Sequence, residues 1–102
     1  MTNRIYVGDI GTAFILEVVD QDGDVVNLAG LTIEILFERP DGTVLTKTAS
    51  LVNDGSDGLM RYLSVEGFLS QAGRWRSQGK ITSGGNVWYT NDGVFQVYDP
   101  LG

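Results

Sequence analysis

Turn-forming residues interrupt this sequence about every ten residues, and no other feature restricts the fold as strongly. Glycine, which tolerates the backbone angles of tight turns, occurs 14 times and falls mainly at these interruptions. The clearest interruptions lie at residues 22–24, 39–42, 53–58 and 83–86. This spacing is typical of short β-strands and leaves little room for helices.

Seven segments between the turns alternate apolar and polar residues as β-strands do. They comprise residues 5–7, 12–19, 31–38, 43–52, 59–65, 74–82 and 87–98. The last segment is expected to contain a β-bulge at residues 91–93, and only residues 68–72 have the pattern of a helical turn. We therefore predict an all-β fold, with residues 1–102 forming one immunoglobulin-like β-sandwich of about seven antiparallel strands.

The alternation also predicts the core, because successive side chains on a strand point to opposite faces. Apolar residues occupy every second position from Leu31 to Phe37, so this face of the strand should be buried. The predicted core consists of Leu16, Ile33, Ile35, Phe37, Tyr62, Trp75 and Phe95. The same alternation points Phe14, Val18, Met60, Ile81 and Val97 inward.

The chain contains no histidine and no cysteine. Histidine is the commonest general base at neutral pH, and cysteine is required for disulfides and thiolate metal sites. No serine or lysine stands in a pattern that would activate it as a nucleophile, and no short motif singles out an acid-base pair of carboxylates. The sequence therefore predicts a protein that is not an enzyme and has no cofactor.

The net charge is −6, whereas a protein that binds nucleic acid needs a basic surface to neutralise phosphates. No apolar run approaches the roughly 20 residues of a membrane-spanning helix, and the first residues lack the apolar stretch of a secretory signal. We expect neither a nucleic-acid nor a membrane partner, and synthesis in the cytoplasm.

Two acidic turns, residues 20–24 and 53–58, allow either a cation site or a simple turn. Alternating carboxylates beside a glycine are found in calcium loops. An EF-hand loop beginning at Asp20 would need a glutamate at its twelfth position, which is Leu31. Residues 53–58 also offer several oxygen ligands and allow the same two interpretations. We favour turns built on Asp-Gly pairs and predict no metal site.

Arg74, Arg76 and Lys80 lie at even spacing and should form a basic stripe on the outward face of one strand. The stripe either binds a polyanion or pairs with Glu34 and Glu38 on a neighbouring strand. In an immunoglobulin-like sandwich the third and sixth strands are neighbours, which favours the pairing.

Three aromatic residues, Trp75, Trp88 and Tyr89, also allow two interpretations. They could stack against sugar rings, or they could serve mainly as core and edge packing. Alternation favours packing, with Trp75 in the core and Trp88 at an inner or edge position.

The candidate protein-contact residues are Ile15, Val19, Leu36 and Tyr98. Ile15, Val19 and Leu36 fall on the outward faces of their strands, and Tyr98 ends a terminal strand that is suited to sharing with a partner. Single exposed apolar residues are common, but several on one sheet would mark a contact surface.

Four stretches of the sequence resemble a known family. They are Ile5 to Thr12, Arg39 to Thr43, residues 54–58 with Met60 and Tyr62, and Gln71 to Trp75. Together they are similar to small immunoglobulin-like proteins of tailed phages and prophages, and to the N-terminal domain of phage baseplate upper proteins. The pattern at residues 72–75 supports the fold more than the function.

The resemblance implies a non-enzymatic virion structural protein, a small protein-protein attachment module of the tail, baseplate or neck. Its partners would be other virion proteins, with several symmetric copies in the particle, and its location would be the virion. Two alternatives stay open: a head (capsid) decoration or cement protein, and a carbohydrate-binding adhesion module.

Overall fold

The computed structural model describes residues 4–90 and 92–101, which form nine β-strands in two sheets. The strands are β1 (Ile5–Tyr6), β2 (Ala13–Glu17), β3 (Thr32–Glu38), β4 (Val44–Thr48), β5 (Ser50–Leu51), β6 (Leu59–Leu63), β7 (Gly73–Ser83), β8 (Asn86–Tyr89) and β9 (Gly93–Tyr98). No helix is found in this described part of the chain, and hence none that could cross a membrane. The predicted all-β sandwich is confirmed, whereas its immunoglobulin-like subtype stays a prediction.

The larger sheet has the strand order β1-β9-β7-β3-β4, with β8 also paired to β7, and the smaller sheet has the order β2-β6-β5. Neighbouring strands are antiparallel except for β1, which runs parallel to β9. The expectation of antiparallel strands throughout was therefore wrong at this edge. Apolar alternation reports which face a strand buries, and it carries no information on strand direction.

Two of the seven predicted segments divide, which gives nine strands. Residues 43–52 begin as β4 in the larger sheet and continue as β5 in the smaller one. The change of sheet occurs at Ala49, which is buried and donates its N–H to the carbonyl oxygen of Ile33 at 3.0 Å. A continuous alternating pattern does not reveal such a crossing, because each half keeps one face in the same core.

The segment 87–98 divides into β8 and β9, which lie end to end along β7. Tyr89 pairs with Lys80, and Gly93 pairs with Ser77. From one pair to the next, the β8–β9 segment therefore advances by four residues while β7 advances by three. One extra residue on one strand is the definition of a β-bulge. The predicted bulge covered residues 91–93, of which Asn91 lies outside the described residues.

The core lies between the two sheets and is rich in aromatic rings. Ile33, Ile35, Phe37 and Trp75 are buried as predicted, and Leu16, Tyr62 and Phe95 are partly buried against them. The ring centroids of Phe37 and Phe68 lie 4.9 Å apart in an edge-to-face arrangement, a geometry that aromatic pairs prefer.

Several core residues lie outside the strands, where alternation could not find them. Leu28 and Phe68 are 0% and 3% exposed, and both belong to connections. Leu28 donates its N–H to the carbonyl oxygen of Gly55 at 2.9 Å, which holds the loop 53–58 against it. Phe68 ends a turn in which its N–H donates to the carbonyl oxygen of Val65, and residues 68–72, whose pattern allowed a helical turn, do not form one.

Two of the three cations in the basic stripe on β7, Arg76 and Lys80, lie beside acidic residues on β3, whereas Arg74 lies opposite Gln96 on β9. Glu38 pairs in register with Arg76, and Glu34 pairs with Lys80. The Nε atom of Arg76 lies 2.7 Å from a carboxylate oxygen of Glu38, and its Nη1 atom lies 3.6 Å from one of Asp92. These contacts raise the pKa of Arg76, chiefly through the hydrogen bond to Glu38.

Candidate protein-binding groove

At one end of the larger sheet, the facing sheet covers only part of the inner face. β7 has 11 residues, whereas β2 and β6 of the facing sheet have five each. A two-residue turn returns the chain from β7 into β8, and the φ of +59° at Gly84 has the sign that a type II′ turn requires at its first central position. Trp88 pairs with Ile81 and therefore points to the same inner face, yet it is 51% exposed.

The opposite wall is formed by the chain that leaves β2. Val18 donates its N–H to the carbonyl oxygen of Gly58 at 2.8 Å, and Val26 donates to the carbonyl oxygen of Val18 at 3.0 Å. Val19 forms an isolated antiparallel bridge with Val25. Residues 18–26 are thus a short hairpin-like connection, which we call the acidic hairpin because its tip contains three aspartates.

Between β8 and the acidic hairpin runs a groove of about 510 Å³. It is lined by Val18, Val19, Asp20, Gln21, Val26, Ile81, Trp88, Tyr89 and Thr90. Trp88 and Tyr89 are neighbours on a strand, so their side chains point to opposite faces. The groove therefore includes the inner face of the sheet, to which Trp88 and Ile81 point.

The end of β8 is held firmly against β7. Thr90 accepts a hydrogen bond at its Oγ1 from the N–H of Gly79 at 2.8 Å, and its own N–H donates to the carbonyl oxygen of Gly79 at 3.0 Å. The side chain of Gln78 donates to the carbonyl oxygen of Thr90 at 2.8 Å. A Cβ at position 79 would lie only 2.9 Å from Thr90 Cγ2, so glycine permits this approach. Trp88 is therefore presented from a fixed strand.

The tip of the acidic hairpin adds negative charge beside these apolar side chains. Carboxylate oxygens of Asp20, Asp22 and Asp24 lie within 4.8 Å of one another, and all three residues are exposed. Asp20 Oδ1 also accepts the N–H groups of Asp22 and Asp24 at 2.9 and 3.0 Å, which closes the turn. The groove therefore combines an apolar floor with an acidic rim.

The second acidic turn uses its carboxylates in local hydrogen bonds. Asp54 accepts from the hydroxyl and the N–H of Ser56 at 2.6 and 2.9 Å, and these bonds lower its pKa. Asp57 accepts from the side chain of Asn53 at 2.6 Å and from the N–H of Leu59 at 3.1 Å, which lowers its pKa as well. These contacts fit the interpretation of residues 53–58 as a turn.

The four predicted contact residues lie at separate places. Ile15 is on the outward face of the smaller sheet, opposite Arg61, and Leu36 is on the outward face of the larger sheet. Tyr98 lies on the β1-β9 edge, with the guanidinium carbon of Arg4 4.8 Å from its ring centroid. Among the four, Val19 lines the groove. Their role in protein contact stays a prediction.

The aromatic platform that would bind sugars is not assembled. Trp75 is fully buried and donates its indole N–H to the carbonyl oxygen of Gln71 at 3.0 Å. Trp88 and Tyr89 point to opposite faces of β8. The sequence singled out Trp88 and Val19 separately, but it gave no signal that Val18, Val26 and Ile81 would complete a groove with them.

The fold and the groove define a small β-sandwich with an exposed surface suited to contact with another protein. The chain matches the family model of the BppU N-terminal domain, the N-terminal domain of baseplate upper proteins, over residues 2–100. It therefore belongs to this family of bacteriophage baseplate domains, and the resemblance found in the sequence is confirmed. A search of curated proteins finds no match.

Proposed function

We propose that this chain is a non-enzymatic attachment module of the phage tail, held in the baseplate by contacts with other virion proteins. The observation that carries the proposal is the family match, which covers residues 2–100 of the 102. The proposal includes location in the virion, a single folded domain, and several symmetric copies, because closed assemblies repeat each contact around an axis.

The chemistry of the chain supports attachment over catalysis. Histidine and cysteine are both absent from the sequence. Asp41, Asp54 and Asp57 accept hydrogen bonds within their own turns, and Arg76 pairs with Glu38. These groups stabilise local structure. The exposed Trp88 and Tyr89 are of the residue types that are enriched at protein interfaces.

The two alternative functions, head decoration and carbohydrate binding, have less support. The family favours the baseplate over head decoration or the neck. A carbohydrate-binding role would rest on Trp88 without the other two aromatic residues, because Trp75 is buried and Tyr89 faces the other way.

The location can be tested by separating purified virions into heads and tails and detecting the chain in each fraction with a specific antibody. A phage replication protein, which is not part of the particle, controls for contamination by lysate. We expect the chain in the tail fraction in a fixed ratio to known tail proteins. Recovery with the heads, or absence from both fractions, would refute the proposed function.

A further inference from the structure

We propose that the groove between β8 and the acidic hairpin receives an extended segment of a neighbouring virion protein, in which an apolar side chain is followed two residues later by lysine or arginine. The proposal rests on the attachment function above and names the surface and the chemistry of its partner. Three independent features of the groove support it: an uncovered apolar floor, an open strand edge and an acidic rim.

The apolar floor is larger than scattered surface residues would give. Trp88 is 51% exposed, and Val19 on the opposite wall is 45% exposed. Behind them Ile81 is buried, so the floor is continuous with the core. Truncation of a central tryptophan is among the largest single losses at protein interfaces, which makes Trp88 the expected anchor.

The edge of β8 favours an extended occupant. β8 pairs with β7 along one side, and no strand of the described residues lies along its other side. The N–H and C=O groups on such an edge can pair with an added strand, and alternate side chains of that strand then enter the adjacent pocket. An added strand on this edge would turn every second side chain to the face of the sheet that carries Trp88.

The acidic rim determines the charge of the occupant. Asp20 lines the groove. Carboxylate oxygens of Asp22 and Asp24 lie within 4.8 Å of a carboxylate oxygen of Asp20. A like-charged segment would be repelled, whereas a lysine or arginine two residues from the apolar anchor would share its face and meet the rim. By comparison, the depression around Leu36 is bordered by Arg76 and Asp92, which already pair with each other.

The first test uses the isolated protein and two peptides of about eight residues, the length of an ordinary strand. One repeats Val-Ser-Lys-Ser and the other repeats Val-Ser-Glu-Ser, so that valine and the charged residue share one face of the strand. Because Trp75 is buried, Trp88 dominates any change in tryptophan fluorescence on binding. We expect saturable binding of the lysine peptide that is at least roughly tenfold tighter than that of the glutamate peptide. Equal affinities, or no binding of either peptide, would overturn the proposal.

Two variants and a matched control locate the binding site. Binding to the variants is measured by isothermal titration calorimetry, because Trp88→Ala removes the fluorescent reporter. Trp88→Ala and the triple change of Asp20, Asp22 and Asp24 to asparagine should each weaken binding of the lysine peptide by roughly tenfold or more. Val87→Ala is the control, because Val87 lies next to Trp88 on β8, is 46% exposed and points to the other face. Equal losses in the control and in Trp88→Ala would contradict a groove-specific contact.

The second test is incorporation into particles, using a phage that lacks its own copy of the gene and is supplied with each variant. We expect wild type and Val87→Ala in the virion, and Trp88→Ala reduced by roughly tenfold although its melting temperature is unchanged within a few degrees. Incorporation of Trp88→Ala at the wild-type level would overturn the inference and leave the attachment function intact. Absence of the wild-type chain from virions would instead refute the attachment function.

Two other occupants have distinct signatures, and each would overturn the proposal. If a second copy of the chain fills the groove, the free protein dimerises with rising concentration and Trp88→Ala abolishes the dimer. If a sugar fills it, host-envelope glycans bind to the wild type and not to Trp88→Ala.

Discussion

Phe68 provides the sharpest test of the core, because it lies in a connection yet is buried as deeply as the strand residues. It is 3% exposed, and its ring contacts four others, those of Phe14, Phe37, Tyr62 and Trp75. The centroid distances for these contacts run from 4.9 to 6.2 Å. Replacing Phe68 with alanine would leave a cavity that all four neighbours border.

The expected loss follows from burial. An aromatic side chain buries roughly 150 to 250 Å², which at about 25 cal/mol per Å² stabilises the folded state by roughly 4 to 6 kcal/mol. An alanine at the same position keeps part of this stabilisation, because its methyl group is also buried. Substitutions of this type in cores cost about 3 to 5 kcal/mol. A small domain has roughly 5 to 15 kcal/mol of stability in total, so Phe68→Ala should fold but lose a large fraction of it.

Urea unfolding followed by circular dichroism measures this loss directly. We expect the midpoint to fall with little change in slope, and the melting temperature to fall by roughly 15 to 25 °C. Val65→Ala is the matched control, since Val65 belongs to the same turn but is 53% exposed. Its effect should stay within about 0.5 kcal/mol. A loss for Phe68→Ala no larger than that of the control would refute the placement of this turn in the core.

Three further predictions concern turns. Gly55→Ala should destabilise the protein more than Gly42→Ala does in the same urea assay. Both glycines have φ near +90°, but only at position 55 would a Cβ lie 2.8 Å from a backbone atom, the nitrogen of Ala29. Equal losses of stability would contradict this close approach. Hydrogen bonds from the N–H of Thr43 and the side chain of Gln71 lower the pKa of Asp41 from 3.8 to about 2. The ionised carboxylate of Asp41 therefore stabilises the folded protein fully above pH 3.8, and this stabilisation is lost as the pH falls towards 2. NMR titration of the Asp41 carboxyl should show this low midpoint, and Asp41→Asn should flatten the acid dependence of stability; a midpoint near 3.8 would exclude the turn geometry. The melting temperature should not differ between excess chelator and millimolar calcium, whereas a rise of several degrees with calcium would show that residues 20–24 or 53–58 coordinate the ion.

The sequence predicted the fold well where strands are long and one face is buried. Ile33, Ile35 and Phe37 alternate without interruption on β3, and the structure buries all three. Leu28 and Phe68 escaped prediction because connections have no periodic pattern, so nothing in their local sequence distinguishes a buried residue from an exposed one. The crossing at Ala49 and the parallel pairing of β1 depend on contacts between distant segments, which alternation does not encode.

The groove was predictable only in part. Val19 and Trp88 were recognised individually, but their proximity depends on the length of β7 beyond the facing sheet and on the path of the acidic hairpin. The hydrogen bonds of Thr90 with Gly79 join the end of β8 to β7, and neither residue had a local signal for this role. The family resemblance supplied what composition could not, since an acidic chain without histidine or cysteine is compatible with many binding functions.

A cryo-electron microscopy reconstruction of the intact virion would show whether this chain is an attachment module of the baseplate. We expect density for this β-sandwich in the baseplate, in several symmetric copies, with an extended segment of a neighbouring protein along the edge of β8 and beside Trp88. Density for the sandwich on the head, or none in the particle, would contradict the claim.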